Sequence, residues 1–119
     1  MTDVYSKLAQ EDLDLVDVNP TAVVTAGAAE QIIVKHIRVV NQSTTDIAGI
    51  RMWQRTSAGV PVDDELILPT ADIVGGGWAE FEGTIILNPN EILYADSVVP
   101  TSGPGASMTI TLYGLEMTP

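Results

Sequence analysis

Between Gln31 and Asn41 the chain reads QIIVKHIRVVN, a run dominated by Ile and Val. Residues of that kind pack well on a pleated, half-buried surface, so the run predicts a β-strand. Its alternation changes phase partway. Ile32 and Val34 share one face, whereas Ile37 and Val39 fall in the opposite register. A β-bulge near Lys35 and His36 would return both pairs to one core.

The rest of the chain follows the same pattern of short apolar runs between turn residues. TAVVTA (21–26) follows Pro20. IAGIRMWQR (47–55) sets Ile50 and Met52 against Arg51, Trp53 and Arg55. LILP (66–69) is a short strand stopped by Pro69, and TADIVGGG (70–77) reads as a connector, because glycine runs are entropically costly inside an element. WAEFEGTIILN (78–88) turns at Asn88-Pro89-Asn90-Glu91 into ILYADSVV (92–99), which predicts a hairpin with Phe81, Ile85, Leu87 and Leu93 inward. MTITLYGLE (108–116) closes the series, with Met108, Ile110 and Leu112 inward.

Residues 1–20 differ from this pattern. SKLAQEDL suggests a helical turn with Ser6 as a cap, and EDLDLVDV alternates, with Leu13 and Leu15 opposite Asp12 and Asp14. We read 1–20 as an N-terminal arm and 21–119 as one β-sandwich domain. About seven or eight strands, broken by turns roughly every 8–12 residues, define an all-β fold. The expected fold class is a single antiparallel β-sandwich, jelly-roll-like, with an extended N-terminal arm.

Composition narrows the function. A chain of 119 residues holds one core, and 45% hydrophobic residues suffice to fill it. Cysteine is absent, which removes disulfides and thiolate metal sites. The N-terminus has no basic region followed by an apolar run, and no apolar stretch approaches the roughly 20 residues that cross a bilayer. Sixteen acidic residues against 5 basic ones give a net charge of −11. That field repels phosphate and anionic lipid, so neither a nucleic-acid nor a membrane partner is expected.

No catalytic constellation is visible. His36 is the single histidine and sits mid-strand, with no nucleophile-elbow serine in the sequence. Asp63-Asp64-Glu65 are consecutive rather than alternating, unlike a calcium loop. Glu80 and Glu82 share a strand face, where solubility or a subunit contact is the commoner use. The glycines at 75–77 lack the lysine of a phosphate loop. Trp53 and Trp78 fall opposite the core side of their strands, which suggests an interface or a second core layer, with a sugar platform as the lesser reading. No cofactor or metal is expected, and no enzyme activity.

Three stretches carry a resemblance: Val34 to Asn41 (VKHIRVVN), Trp78 to Ala95 and Thr109 to Glu116 (TITLYGLE). Together they resemble small β-sandwich structural proteins of tailed bacteriophages, over roughly residues 30–116. The resemblance implies a virion component. The expected role is a capsid decoration (cement) protein on the outer head surface, made in the host cytoplasm. Its expected partners are the major capsid protein and copies of itself in a homotrimer. A neck, tail or fibre-adaptor protein is the alternative, and a carbohydrate- or receptor-binding module a more distant one. The family carries no catalytic residues to this chain. The arm lies outside the resemblance, and Leu8, Leu13, Leu15, Trp53 and Trp78 are the expected interface residues.

Overall fold

The computed structural model describes residues 5–14, 21–42, 48–57, 59, 66–74, 76–97 and 107–117. Eight strands follow one another: β1 (Tyr5–Asp14), β2 (Thr21–Thr25), β3 (Gln31–Asn41), β4 (Ala48–Arg55), β5 (Leu66–Ile73), β6 (Trp78–Leu87), β7 (Ile92–Ser97) and β8 (Ser107–Met117). They form two four-stranded sheets. The first has the order β1-β8-β3-β6 and the second β2-β7-β4-β5, with antiparallel pairing throughout. Only β4 and β5 are consecutive strands paired in one sheet. Every other step carries the chain from one sheet to the other, which is the winding of an eight-stranded jelly roll.

The phase change in β3 has the structural cause the sequence suggests. Its register shifts between Val34 and His36 against both β6 and β8. Ile32, Val34, Ile37 and Val39 are consequently all buried, at 3% exposure or less. They join Ile50, Met52, Leu87, Leu93, Met108, Ile110 and Leu112 in one core between the sheets. Burying each such side chain contributes about 1.5–3 kcal/mol, which is why the two sheets stay together without disulfides.

Three expectations are corrected. The turn at Asn88–Glu91 does not close a hairpin: β6 lies in the first sheet and β7 in the second. It is a corner. Glu91 N–H donates to the Asn88 carbonyl at 2.9 Å, and Asn90 adopts φ 70°. Asn90 N–H and the Glu91 carbonyl then bond Ala26 on the turn after β2. This corner is therefore tied to the second sheet.

Ser6 to Leu13 is strand, not helical turn, because β8 offers its open edge along the whole of β1. A ladder bond for each alternate residue outweighs a single capped turn. So residues 5–14 of the segment read as an arm lie hydrogen-bonded along the first sheet, and Leu8 and Ala9 pack on the core.

β5 runs through Pro69 to Ile73 instead of stopping there. It is an edge strand, and Pro69 falls where the register shifts, between the pairs Met52–Leu68 and Ile50–Ala71. A missing N–H is tolerated at such a place.

Candidate functional site

The two tryptophans lie on the outer faces of different sheets and meet opposite environments. Trp53 pairs with Tyr94 across β4 and β7. With Ile92 they make a second buried cluster, and Trp53 is only 4% exposed. The Arg51 guanidinium lies 4.9 Å from the Trp53 ring centroid and grips Asp96. Gly59 N–H donates to the Tyr94 hydroxyl at 3.2 Å. The chain itself thus covers Trp53. Trp78 is 58% exposed, with the Arg38 guanidinium 5.2 Å from its ring centroid. It stands at the start of β6, one turn from the exposed Val74.

The expected interface residues of the N-terminal segment separate. Leu8 occupies the register shift between Lys7 and Ala9 and packs on the core. Leu13 pairs with Met108 in the ladder of β1 and β8. Leu15 lies outside the described residues, as does the Asp63-Asp64-Glu65 triplet. Leu8 packs with the core between the sheets and not with the Trp53 cluster.

The outer face of the first sheet shows what sequence reading missed. Register partners across all four strands stand side by side in rows. The row Tyr5–Leu115–Ile33–Ile86 is apolar from edge to edge. Tyr5 is 57% exposed, Ile86 is 45% exposed, and the inner two are half-buried. The next row is Lys7–Tyr113–His36–Glu82, and the next Gln10–Thr111–Arg38–Glu80. These two rows hold their charges in balance. His36 Nε2 is 3.3 Å from Glu80 and its Nδ1 3.8 Å from Glu82, and its ring meets Tyr113 edge-on at 5.9 Å. His36 therefore has carboxylate and aromatic neighbours and no described serine beside it. Lys35, the residue at the bulge, donates from Nζ to Thr84. Exposed apolar rows of this kind mark contact surfaces rather than reaction sites.

Among the described residues, no group of three or more His, Asp or Glu side chains is placed to hold a metal ion. A shallow pocket of about 90 Å³ lies at the bulge, between Val34, Phe81, Gly83 and Ile85. That space suits a few waters and falls well short of the several hundred Å³ of a typical ligand site.

No protein-family model matches this chain, and no curated protein matches it. Among solved structures, it is similar to a chain in the structure of infectious bursal disease virus Gx strain. That match has 10% identity and a TM-score of 0.50 and covers 97% of this chain and 31% of the other. A chain in the structure of the Gt strain is matched at 10% identity with a TM-score of 0.38, over 98% of this chain and 33% of that one. This chain spans about a third of the length of those virus chains. At this identity the likeness is one of fold: the protein is an eight-stranded jelly roll.

Proposed function

We propose that the protein is a structural component of a virion, and specifically a decoration (cement) protein on the outer head surface of a tailed bacteriophage. The observation that carries the reading is the winding of the strands, 1-8-3-6 over 2-7-4-5, in a single small jelly roll whose likeness to a virus chain covers nearly its full length. The motif resemblance at Val34–Asn41, Trp78–Ala95 and Thr109–Glu116 supports the phage assignment. In this role the protein performs no chemistry. It binds across neighbouring shell subunits and opposes the outward pressure of the packaged genome. Several weak contacts made by one rigid body reinforce each other through effective concentration.

The major capsid protein is the partner in this reading. Trp78 is the exposed anchor, and an aromatic of that size at the centre of a contact contributes disproportionately to affinity. The N-terminal segment supplies a second contact through Leu13 and Leu15, Leu8 being packed on the core. Trp53 acts from beneath, holding Arg51 and Tyr94 in place. The acidic remainder of the surface keeps the particle exterior soluble.

The test is the copy number of the protein in purified particles, by quantitative mass spectrometry against the major shell protein. A ratio near that of the shell protein supports decoration. A ratio at least an order of magnitude lower moves the protein to the neck or tail. Absence from particles refutes both virion assignments and leaves a binding module, to be examined by glycan screening.

A further inference from the structure

The rows on the outer face of the first sheet have a property that no single strand shows. The strand order is β1-β8-β3-β6, so the midline of the face runs between β8 and β3. Consider a two-fold axis along that midline, parallel to the strands. It lays β1 of one copy over β6 of the other and β8 over β3, with each row opposite itself. The apolar row then meets its own copy, Tyr5 against Ile86 and Leu115 against Ile33. In the next row Lys7 meets Glu82, twice by symmetry, and Tyr113 meets His36. In the third, Gln10 meets Glu80 and Thr111 meets Arg38. Apolar groups meet in the first row and opposite charges in the second. The third brings polar groups to Glu80 and Arg38, and the row Asp12–Thr109–Val40–Trp78 beyond them sets Asp12 opposite Trp78 at the end of the face. An isologous contact requires such self-complementarity.

From this matching we infer that the outer face of the first sheet is a two-fold interface with a second copy of this chain. Area and charge both favour that occupant. Four strands about 4.8 Å apart and an eight-residue reach of β3 at about 3.4 Å per residue give a face of roughly 500 Å². Two such faces bury on the order of 1,000 Å², the lower bound for a specific interface. The net charge of −11 opposes association through most of the surface, whereas in the two middle rows of this face Lys7 and Arg38 offset Glu80 and Glu82, with Asp12 left at its end. Aligned sheets cross at about 30°, which displaces the edge strands by about 4 Å, within the reach of a lysine and a glutamate. Glu82 remains accessible beside His36, its side chain being 82% exposed. The contact is two-fold, so it differs from the trimer the family resemblance implies. It does not rest on the shell reading, and a shell contact through Trp78 would compete with it for the same face.

The experiment is sedimentation equilibrium on the purified chain and on two exposed charge reversals, Lys7→Glu and Glu82→Lys. The expected result is a dimer for the natural chain and at least tenfold weaker self-association for each variant. Each variant sets like charges opposite each other in its own homodimer. Mixed one to one, the two variants should regain the dimer, since every facing pair is then opposite in sign. Carbodiimide should also join Lys7 of one copy to Glu82 of the other, detected as one cross-linked peptide from mixed isotope labels. A monomer at high concentration, a trimer, or a dimer indifferent to both reversals would overturn the inference. Unchanged circular dichroism in both variants verifies that they fold.

Discussion

Asp96 receives both prongs of Arg51: Nη2 donates to Oδ2 at 2.8 Å and Nε to Oδ1 at 3.1 Å, directly across β4 and β7. The same guanidinium stacks on Trp53. The Asp96 side chain is 8% exposed and that of Arg51 35%, so the pair sits at the lip of the second cluster rather than in solvent. Removing the carboxylate leaves a half-desolvated cation with fewer partners. Asp96→Ala should lower stability by about 1–3 kcal/mol, read as a reduced urea midpoint with unchanged slope. Raising salt should not reproduce the loss, because a shielded pair at this distance is weakly screened.

Glycine is required at position 114 by space and at position 76 by backbone angle, and the two should respond differently. A Cβ on Gly114 would lie 2.0 Å from the Ile33 carbonyl oxygen, inside the central pair of the first sheet. Backbone cannot yield there without breaking the ladder, so Gly114→Ala should cost about 3 kcal/mol or more. Gly76 has open space around its Cβ position but φ 73°. Gly76→Ala should cost only about 1 kcal/mol, the left-handed penalty alone. Thermal unfolding of the two variants, side by side, checks the order.

Trp53 and Trp78 should separate cleanly in fluorescence. With Trp53→Phe, the remaining Trp78 should emit at the red end and be quenched readily by acrylamide, given its 58% exposure. With Trp78→Phe, the shielded Trp53 should emit further to the blue and resist quenching. Stability should follow the same division. Trp53→Ala empties the second cluster and costs about 3–5 kcal/mol, whereas Trp78→Ala loses only an exposed cation–π contact, under about 1 kcal/mol. Equal quenching in the two single-tryptophan proteins would contradict the burial of Trp53.

Much of this architecture is written locally. The reversal of phase between Val34 and Ile37 states the bulge outright, and the alternation of Met108, Ile110 and Leu112 states which side of β8 is core. The burial of Trp53 was open, since position opposite the core is the same for a covered and an uncovered side chain. What local patterns cannot state is the sheet a strand joins. Asn88-Pro89-Asn90-Glu91 has the same turn chemistry in a hairpin and in a corner. The choice is made by β2 and β4, which both pair with β7 and lie far away in sequence. Pro69 misleads for a related reason: it stops a central strand but not an edge, and only topology shows that β5 is an edge. The row Tyr5–Leu115–Ile33–Ile86 was hidden entirely. Each member sits on a different strand, and none is unusual alone.

The N-terminal segment gives the last prediction. If residues 1–20 served only as an arm for an outside partner, removing residues 1–14 would leave the sandwich as stable as before. The structure leads to the opposite outcome. β1 closes one edge of the first sheet, covering β8 from Leu115 to Ser107, and its Leu8 and Ala9 pack on the core. Without it, β8 becomes an open edge whose inward residues, Met108, Ile110 and Leu112, are otherwise fully buried. Open edges of that kind pair with one another between molecules. Deleting residues 1–14 should therefore lower the melting temperature by several degrees at least and raise light scattering on standing. Deleting residues 1–4 alone leaves every register pair of β1 in place and should do neither. A synthetic peptide spanning Tyr5–Asp14, added to the truncated chain, should restore part of the lost stability by filling the vacant edge. No restoration, with the truncated chain still folded and unaggregated, would show that β1 contributes nothing to the sheet.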